Sequence, residues 1–300
     1  MDWFIFALAS TASFAAAVLV DKFLLVSYIR NSTAYLVALI IFQQVFVVII
    51  AAFVGAGFIY PASIYAMLAG TAQAVMYVSY LRALQVEEAS RVTSLIFVYP
   101  LFVFLGSALL LGEVLAPRHY LGGVLLVASA LLVSYRPGHA PNHGRPMAFS
   151  PALKHLFFFW IFAALFVIEI KYLLSFMDEW HLFIWSSIGT LVSVLPFLAD
   201  NKIRAETLGF FRMNSLLLRA ILLEEIFDFL GRLLSIFAFA LGPVALVSAV
   251  GALQPSITLI YILALSLFLP GLIEEEIDRR TLALKFIAGF LVVIGIYLVS

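Results

Sequence analysis

The chain has 300 residues, of which 65% are hydrophobic and 11% are charged, and its formal net charge is zero. A soluble domain has about 45–50% apolar and about 25% charged residues, and no soluble fold of this length could bury so much apolar surface. Composition therefore excludes a soluble globular protein and predicts a polytopic membrane protein. The balanced charge gives no sign of a nucleic-acid partner, and the lack of Cys excludes disulfides and thiolate chemistry.

Apolar stretches long enough to cross a bilayer recur along the whole chain. A spanning helix needs about 20 apolar residues, and backbone groups in lipid must bond within their own segment, which favours helices. The polar segment 137–152 is rich in Pro, Gly, Asn and His and predicts a linker between a first unit, 1–136, and a second unit, 153–300. Ten spans are predicted, five in each unit, at 3–26, 34–57, 62–84, 90–111, 118–135, 154–174, 182–199, 215–240, 244–269 and 283–300.

Charged residues near the ends of predicted spans are expected to lie at the membrane surface. Asp21 and Lys22 close the first span, and Glu169 and Lys171 lie near the end of the sixth. A lysine in such a position extends its ammonium group to the interface, so we interpret these residues as end anchors. Glu169 also remains a candidate acid in a substrate or proton site.

The third span carries a polar face. Gln73, Tyr77 and Tyr80 follow one another at spacings of four and three residues, which places them on one side of a helix. Tyrosine rings facing a cavity could hold an organic cation, with about 0.5–2 kcal/mol from each ring. The same rings could equally be packing residues with satisfied hydroxyl groups, and both interpretations stay open.

The eighth span combines apolar length with a charged stripe made of Glu224, Glu225, Asp228 and Arg232. Each charge at the centre of a bilayer costs about 2.5–3.5 kcal/mol. Asp228 and Arg232 are four residues apart and predict an ion pair, whereas Glu224 and Asp228 repel each other at the same spacing. The crowded carboxylates predict a titrating acid, Glu224 or Glu225, that binds a proton or cation in a cavity. The alternative is a structural clamp of Asp228 with Arg232 beside two solvated glutamates.

The two units repeat the same features in the same order. KFLL closes the first span and KYLL closes the sixth, while Pro100 lies inside the fourth span and Pro255 inside the ninth, each after a short hairpin. Weak repetition between two units with an odd number of spans is typical of secondary transporters with inverted repeats. Each proline removes a helix hydrogen bond and frees the carbonyl four residues earlier. A kink is predicted at both positions, either static or part of a gate.

The segment ALQVEEASRVTSLIFVYPLFVFLGSALLLGEVLAPRHYLGGVLLVASALLVSY resembles the EamA-type repeat of the drug/metabolite transporter superfamily. The similarity rests on the hairpin, the proline inside a span, LLLGE ending at Glu113, and Gly122 and Gly123 in the last span. The second unit is similar, although LPGLIEEE replaces LGE and Glu274–Glu276 match only loosely. The resemblance implies an all-α membrane fold of ten transmembrane helices in two inverted five-helix repeats around a central cavity, with spans 5 and 10 at the side.

The distribution of Lys and Arg residues and the resemblance to the transporter family predict opposite orientations of the chain in the membrane. Nearly all Lys and Arg residues lie in loops on the side opposite the N-terminus, and Arg232 lies inside a span. Cytoplasmic loops are rich in Lys and Arg, so this distribution places both termini outside. Ten-helix members of the resembled family usually keep both termini in the cytoplasm, and the sequence leaves the orientation open.

These features favour a secondary transporter that moves a small polar or amphiphilic metabolite, such as an amino acid, amine or organic cation, by alternating access. Protons are the candidate coupling ion, and a lipid-linked carrier flippase is the alternative function. An intramembrane enzyme is disfavoured because the sequence has no Cys, HExxH or nucleophile elbow, and ATP is disfavoured because it has no GxxxxGK. The expected partners are a small-molecule substrate, the lipid bilayer and protons, without nucleic acid, metal or cofactor. The chain is expected in the plasma (inner) membrane as a monomer or homodimer.

Overall fold

The computed structural model describes residues 2–29, 31–86, 92, 95–134, 152–212, 215–268 and 279–299. The predicted linker, apart from its last residue, and the loosely matching Glu274–Glu276 lie outside these residues. A π-helical turn at Ser107–Leu111 follows the helix Tyr99–Gly106, and a 3₁₀ turn at Leu195–Ala199 follows the helix Glu179–Val194. The α-helices are α1 (Asp2–Ser27), α2 (Ser32–Val54), α3 (Ala62–Val86), α4 (Tyr99–Gly106), α5 (Pro117–Ser134), α6 (Leu153–Leu173), α7 (Glu179–Val194), α8 (Asn201–Phe210), α9 (Ser215–Leu241), α10 (Val244–Gly251), α11 (Gln254–Phe268) and α12 (Arg279–Val299).

The chain is an integral, multi-pass membrane protein, and its described elements are helical as predicted. Fewer than ten of the described helices are long and apolar enough to be recognised as membrane spans by length and composition alone. The helix α9 is long enough, with 27 residues, but its charged side chains lower its hydropathy. Tyr99–Leu111 and Ile287–Val299 are apolar but shorter. Within the described residues, six segments meet both criteria: Asp2–Asp21, Ser32–Val54, Ala62–Ala83, Leu153–Leu173, Glu179–Ala199 and Val244–Leu265.

Two of the predicted spans are interrupted in their middle. The chain turns at 97–98 before α4 and at 252–253 between α10 and α11. Pro100 and Pro255 are each the second residue of the helix that follows the turn. A proline is accepted in the first turn of a helix, where its missing N–H would have had no partner. The structure therefore has helix breaks at these positions, where the sequence predicts kinks in continuous spans.

The helix α8 lies where the sequence predicts a loop. Asp200 begins it by accepting hydrogen bonds from the backbone N–H groups two and three residues later, at 2.8 and 3.3 Å. Thr207 Oγ1 donates to Ala34 O at 3.3 Å, and the ring of Phe210 lies 5.8 Å from that of Tyr35. These contacts attach α8 to the start of α2 and support Tyr35 from outside.

The helices α1 and α9 pack against each other and run in opposite directions. The rings of Phe6 and Phe237 are 5.8 Å apart. Further along α1, Ser10 Oγ donates to Gly231 O at 2.7 Å. Moving toward the C-terminus of α1 thus means moving toward the N-terminus of α9, which fixes the register between the two helices.

The helices α3 and α7 cross so closely that only glycine fits at the contact. A Cβ added to Gly70 would lie 2.0 Å from Ser186 O, and one added to Gly189 would lie 2.1 Å from the backbone of α3. Small residues permit such close approach of helices in a membrane. The crossing places Gln73 of α3 beside Thr190 of α7, with Thr190 Oγ1 3.0 Å from Gln73 Oε1.

A second close crossing joins α5 and α12. A Cβ added to Gly122 would lie 3.0 Å from Gly295 O, and one added to Gly295 would lie 3.3 Å from Gly122 O. A Cβ on Gly123 would instead meet the ring of Phe104 at 2.3 Å. Close packing therefore accounts for both glycines, Gly122 and Gly123, in the last span of the first unit.

Candidate functional site

A cavity of about 460 Å³ lies inside the helical body and is lined mainly by apolar and aromatic side chains. Residues of α1, α2, α3, α4, α6, α7, α9, α10 and α11 contribute to its wall. Its volume falls in the range of about 300–1,000 Å³ that is typical of small-molecule sites. The predicted site residues that line it are Gln73, Tyr77, Tyr80, Glu224, Glu225, Asp228 and Arg232.

Asp228 and Arg232 form an ion pair in the wall of the cavity. Arg232 Nε lies 2.6 Å from Asp228 Oδ2, and their side chains are 12% and 17% exposed. The guanidinium group also lies over the ring of Tyr77, with Cζ 5.5 Å from the ring centroid. A buried arginine is stable only when its charge is paired and its N–H groups find acceptors. The spacing of four residues on α9 supplies the first of these partners directly.

Gln73 joins the polar face of α3 to this ion pair. Arg232 Nη1 donates to Gln73 Oε1 at 3.4 Å, and Gln73 Nε2 donates to Tyr77 OH at 3.4 Å. Thr190, from α7, also bonds Gln73 Oε1 and holds the amide in place. Three helices therefore share one polar network, in which Thr190 is a member that the sequence pattern did not indicate.

Glu224 and Glu225 are the most deeply buried acids of the cavity wall. They are 3% and 2% exposed, respectively. The Oε2 atom of each carboxyl group has no hydrogen-bond partner among the described residues. Burying a polar group without a partner is costly, so these two groups are candidates for binding a ligand or a proton.

Asp21 is a cavity residue and not the surface anchor that the sequence predicts. It lines the cavity from α1, and Tyr35 OH donates to Asp21 Oδ1 at 2.6 Å. The side chain of Lys22 lies outside the described residues. A signal for Asp21 was available, because Ser10, Ala17 and Asp21 are separated by seven and four residues and line the cavity from one face of α1.

Lys171 and Glu113 bind the hairpin between α9 and α10. Lys171 Nζ donates to the carbonyl oxygens of Phe239 and Gly242 at 2.7 and 2.9 Å, and Glu113 Oε1 accepts from the backbone N–H of Val244 at 3.1 Å. The ammonium group of Lys171 therefore has partners in the backbone at the end of α9, which the sequence pattern does not indicate.

The glycine before Glu113 has a conformational role in this arrangement. Gly112 ends the π-helical turn with φ +67°, in the left-handed region that a residue with a Cβ rarely adopts. Its N–H bonds Ser107 O and closes the turn. The LGE sequence thus turns the chain sharply and directs Glu113 toward the N-terminus of α10.

The remaining predicted site residues lie around the cavity and not in its wall. Glu169 of α6 is not a lining residue, although its Oε2 atom is buried without a partner among the described residues. Pro100 and Pro255 do not line the cavity either, but Tyr99 and Gln254, the residues before them, do. In the part of the chain that the structure describes, no group of three or more His, Asp or Glu residues is arranged to hold a metal ion.

Comparison with known proteins finds a family that is similar to the first unit. Residues 1–135 match the EamA-like transporter family, which confirms the resemblance to the drug/metabolite transporter superfamily and indicates a membrane transporter. No curated protein sequence matches the chain. One crystal structure superposes with a TM-score of 0.72 at 12% identity and covers 99% of this chain and 96% of that one. At this identity the likeness shows the fold alone, and it extends over both units.

Proposed function

We propose that this chain, whose residues 1–135 match the EamA-like transporter family, is a secondary transporter in the plasma membrane. It moves a small polar or amphiphilic metabolite by alternating access, and protons drive the movement. The observation that carries the proposal is the cavity of about 460 Å³, in which buried carboxyl groups and one ion pair face an otherwise apolar wall. Ionisable side chains inside a membrane are costly and mark pathways for substrates and ions.

Matching helix breaks support two equivalent five-helix repeats. The chain leaves the helical conformation at 97–98 and at 252–253, just before Pro100 and Pro255. Discontinuous helices around a central site are a feature of transporters built from inverted repeats. In the proposed transporter the two breaks are equivalent hinge positions, one in each repeat.

The direction of the first helix in each unit supports inversion of the repeats. The start of α1 lies beside the end of α9, where a Cβ added to Gly242 would lie 2.5 Å from Trp3. The end of α6 reaches the same place, because Lys171 Nζ bonds Gly242 O. The start of α6 lies instead beside the end of α3, with the rings of Phe159 and Tyr80 6.3 Å apart. The helices α1 and α6 therefore run in opposite directions.

The helix breaks also contribute to the cavity wall. Ile96 and Gly251 precede the breaks, and both line the cavity. The prolines four residues later cannot donate to their carbonyl groups. Backbone of this kind is tolerated at membrane depth only when protein or a cavity surrounds it. Rotation at the two breaks would open the cavity to one side of the membrane and close it to the other.

Flux into proteoliposomes tests the proposal. We expect saturable counterflow of at least one solute from a panel of amines, amino acids and quaternary ammonium ions, with a rate that responds to an imposed pH gradient. Glu224→Gln and Asp228→Asn should each lower the rate about tenfold or more, since each removes a charge from the cavity. Glu179→Gln is the matched control, because Glu179 lies in the first turn of α7 and does not line the cavity.

Three results would count against this function. Absence of saturable flux for every solute, with folded protein in the vesicles, would exclude a solute transporter. Translocation of a lipid-linked probe without solute exchange would instead identify a flippase. Flux that is unchanged in both cavity variants would show that transport does not depend on the buried acids.

A further inference from the structure

The cavity carries an excess of negative groups that its own residues do not neutralise. Asp21, Glu224, Glu225 and Asp228 line it, and Arg232 is the single basic lining residue among the described side chains. Arg232 is engaged by Asp228 at 2.6 Å. Three carboxyl groups of the cavity therefore have no basic partner among the described residues of its wall.

Two of these three groups are also without hydrogen-bond partners at one oxygen. Glu224 and Glu225 are 97% and 98% buried, from exposures of 3% and 2%, and the Oε2 atoms of both are unpartnered among the described residues. The N–H groups of the α9 backbone around them are used within the helix. A carboxylate that is buried in this way is stabilised by a positive charge brought in from outside.

The register between α1 and α9 brings Asp21 to the level of Glu224. A Cβ added to Gly231 of α9 would lie 2.8 Å from the ring of Phe14 of α1, so these two residues lie at the same level. Because the helices run in opposite directions, seven residues further along α1 and seven residues back along α9, about two helical turns, reach Asp21 and Glu224. Both residues line the cavity, and their carboxyl groups interact electrostatically.

Asp21 is held in position from the other side. Tyr35 OH donates to its Oδ1 atom at 2.6 Å, and Tyr35 is 4% exposed. The ring of Phe210, on α8, packs against Tyr35 at 5.8 Å. Asp21 is thus a preorganised carboxylate, with its orientation fixed before a ligand arrives, and preorganisation lowers the entropic cost of binding.

We propose that Asp21 and Glu224 together bind the ammonium group of an amphiphilic organic amine, with the apolar body of the amine against the aromatic wall of the cavity. The inference rests on the proposed transport function and names its substrate class. Two carboxylates from facing helices offer an ammonium group acceptors on both sides. Tyr77 and Tyr80 provide ring faces in the same cavity, and Phe14 adds a further apolar surface.

The size of the cavity favours an organic cation over a bare ion. A proton or a sodium ion between Asp21 and Glu224 would leave nearly all of the 460 Å³ unfilled. The wall exposes mainly apolar surface, which suits a hydrocarbon or aromatic body and not a hydrated ion. The same wall disfavours an anionic substrate, because the excess carboxyl groups repel it.

A ligand series that varies only charge tests this inference. Phenethylamine, 2-phenylethanol and 3-phenylpropanoate share a phenylethyl body and are cationic, neutral and anionic. Equilibrium binding of radiolabelled phenethylamine to the full chain in detergent should be saturable, and the two analogues should fail to displace it at matched concentrations. Methylamine and choline extend the series to a smaller amine and to a cation without N–H groups, and both should compete more weakly than phenethylamine.

Variants of the two acids locate the site. Asp21→Asn and Glu224→Gln should each weaken phenethylamine binding about tenfold, as expected for the loss of one charge-assisted hydrogen bond. Tyr35→Phe removes only the hydroxyl that positions Asp21 and should weaken binding by a smaller factor. Glu179→Gln should leave the affinity unchanged. Thermal unfolding of each variant in the same detergent separates lost binding from lost folding.

Several outcomes would overturn the inference. Equal displacement by the alcohol, or no binding of any amine, would exclude an ammonium site. Amine binding that survives in both acid variants would place the site elsewhere. Saturable, Glu224-dependent flux of a neutral or anionic solute without amine binding would identify the acids as a proton site and leave the transporter intact. Amine binding without flux of any solute would overturn the transport function instead.

Discussion

The hairpin between α9 and α10 and the acidic part of the cavity both place charged side chains inside the protein. At the hairpin every charge meets backbone of the opposite polarity. The ammonium group of Lys171 binds carbonyl oxygens at the end of α9, and the carboxylate of Glu113 binds the first N–H of α10. Helix ends carry partial charges and free backbone groups, so they can satisfy an ionised side chain without any ligand.

Glu224 and Glu225 lie in the middle of a helix, where the backbone N–H groups are already bonded within the helix and cannot bind a carboxylate. Glu224 and Glu225 belong to the interior of α9, and their Oε2 atoms have no partner among the described residues. Asp228 lies one turn further on and has Arg232. The difference teaches that burial by itself does not identify a functional charge. A buried charge that meets a backbone group or side chain of opposite polarity stabilises the fold, and a buried carboxyl group without such a partner is available to a ligand.

The largest expected effect comes from turning the paired acid into an unpaired one. Arg232→Ala would leave Asp228 buried without its cation, beside two further carboxyl groups, and should lower the free energy of unfolding by about 3–5 kcal/mol. The double variant Asp228→Leu/Arg232→Met should recover most of that stability, because an apolar pair replaces the ion pair. Thermal unfolding in detergent measures both. Full stability of Arg232→Ala would show that the pair is not buried as the 12% and 17% exposures indicate.

A smaller loss is expected at the hairpin. Lys171→Met removes a charged donor that binds two carbonyl oxygens, at a cost of about 1.5–3 kcal/mol of unfolding free energy. Lys171→Arg is the matched control, since it keeps the charge and the donors. Binding of a cavity ligand should be unchanged when it is measured on the folded fraction, because Lys171 does not line the cavity. A variant that keeps its stability but loses affinity would contradict the division between the two regions.

Local spacing predicts those parts of the site that a single helix determines. The ion pair of Asp228 with Arg232 and the contact of Gln73 with Tyr77 each follow from a separation of four residues, and the structure forms both. The all-helical membrane fold likewise follows from composition. These features depend on helix geometry, which is the same wherever a helix lies in the fold.

Contacts between distant segments could not be predicted in the same way. Tyr35 bonds Asp21 from a different helix, and Lys171 reaches a hairpin 68 to 71 residues later. Both charged residues lie near the end of a predicted span, where the usual expectation is a surface position. Whether such a residue faces lipid headgroups or the protein interior depends on which helices pack around it, and hydropathy along the chain carries no information on that.

Variants of Glu113 test how much its carboxylate contributes to the stability of the hairpin between α9 and α10. Glu113→Ala would leave the N–H of Val244 without its 3.1 Å partner, and we expect a loss of about 1 kcal/mol, as for other helix N-caps. Glu113→Gln keeps an acceptor oxygen at the same position and should lose less. Thermal unfolding of the two variants measures the difference. Equal losses would mean that the negative charge near the α10 terminus matters more than the hydrogen bond.

The smallest loss of unfolding free energy is expected for Asp178, a helix-capping carboxylate that is exposed to water. Comparison with the buried acids shows how much burial increases the effect of a lost charge. Asp178 is 47% exposed and accepts hydrogen bonds from the backbone N–H groups of Trp180 and His181, both at 3.0 Å. Partial burial raises the pKa of Asp178, but the hydrogen bonds and the charge of His181 outweigh it and hold the pKa below its ordinary value. Its contribution is therefore present above the ordinary carboxyl range and disappears as the pH falls through the lowered pKa.

Asp178→Ala should cost at most about 1 kcal/mol at neutral pH, since solvent screens an exposed carboxylate. Asp178→Asn should keep the cap, because the amide oxygen accepts the same N–H groups, and should lose the acid-dependent part of the stability. Unfolding midpoints measured from neutral to acidic pH show whether the negative charge of Asp178 or its hydrogen bonds to the backbone supply its contribution to stability. A wild-type curve that stays parallel to the Asp178→Asn curve into the acidic range would show that the hydrogen bonds, and not the charge, make up the contribution. The exposed carboxylate would then differ from the buried acids of α9 in requiring no counter-charge at all.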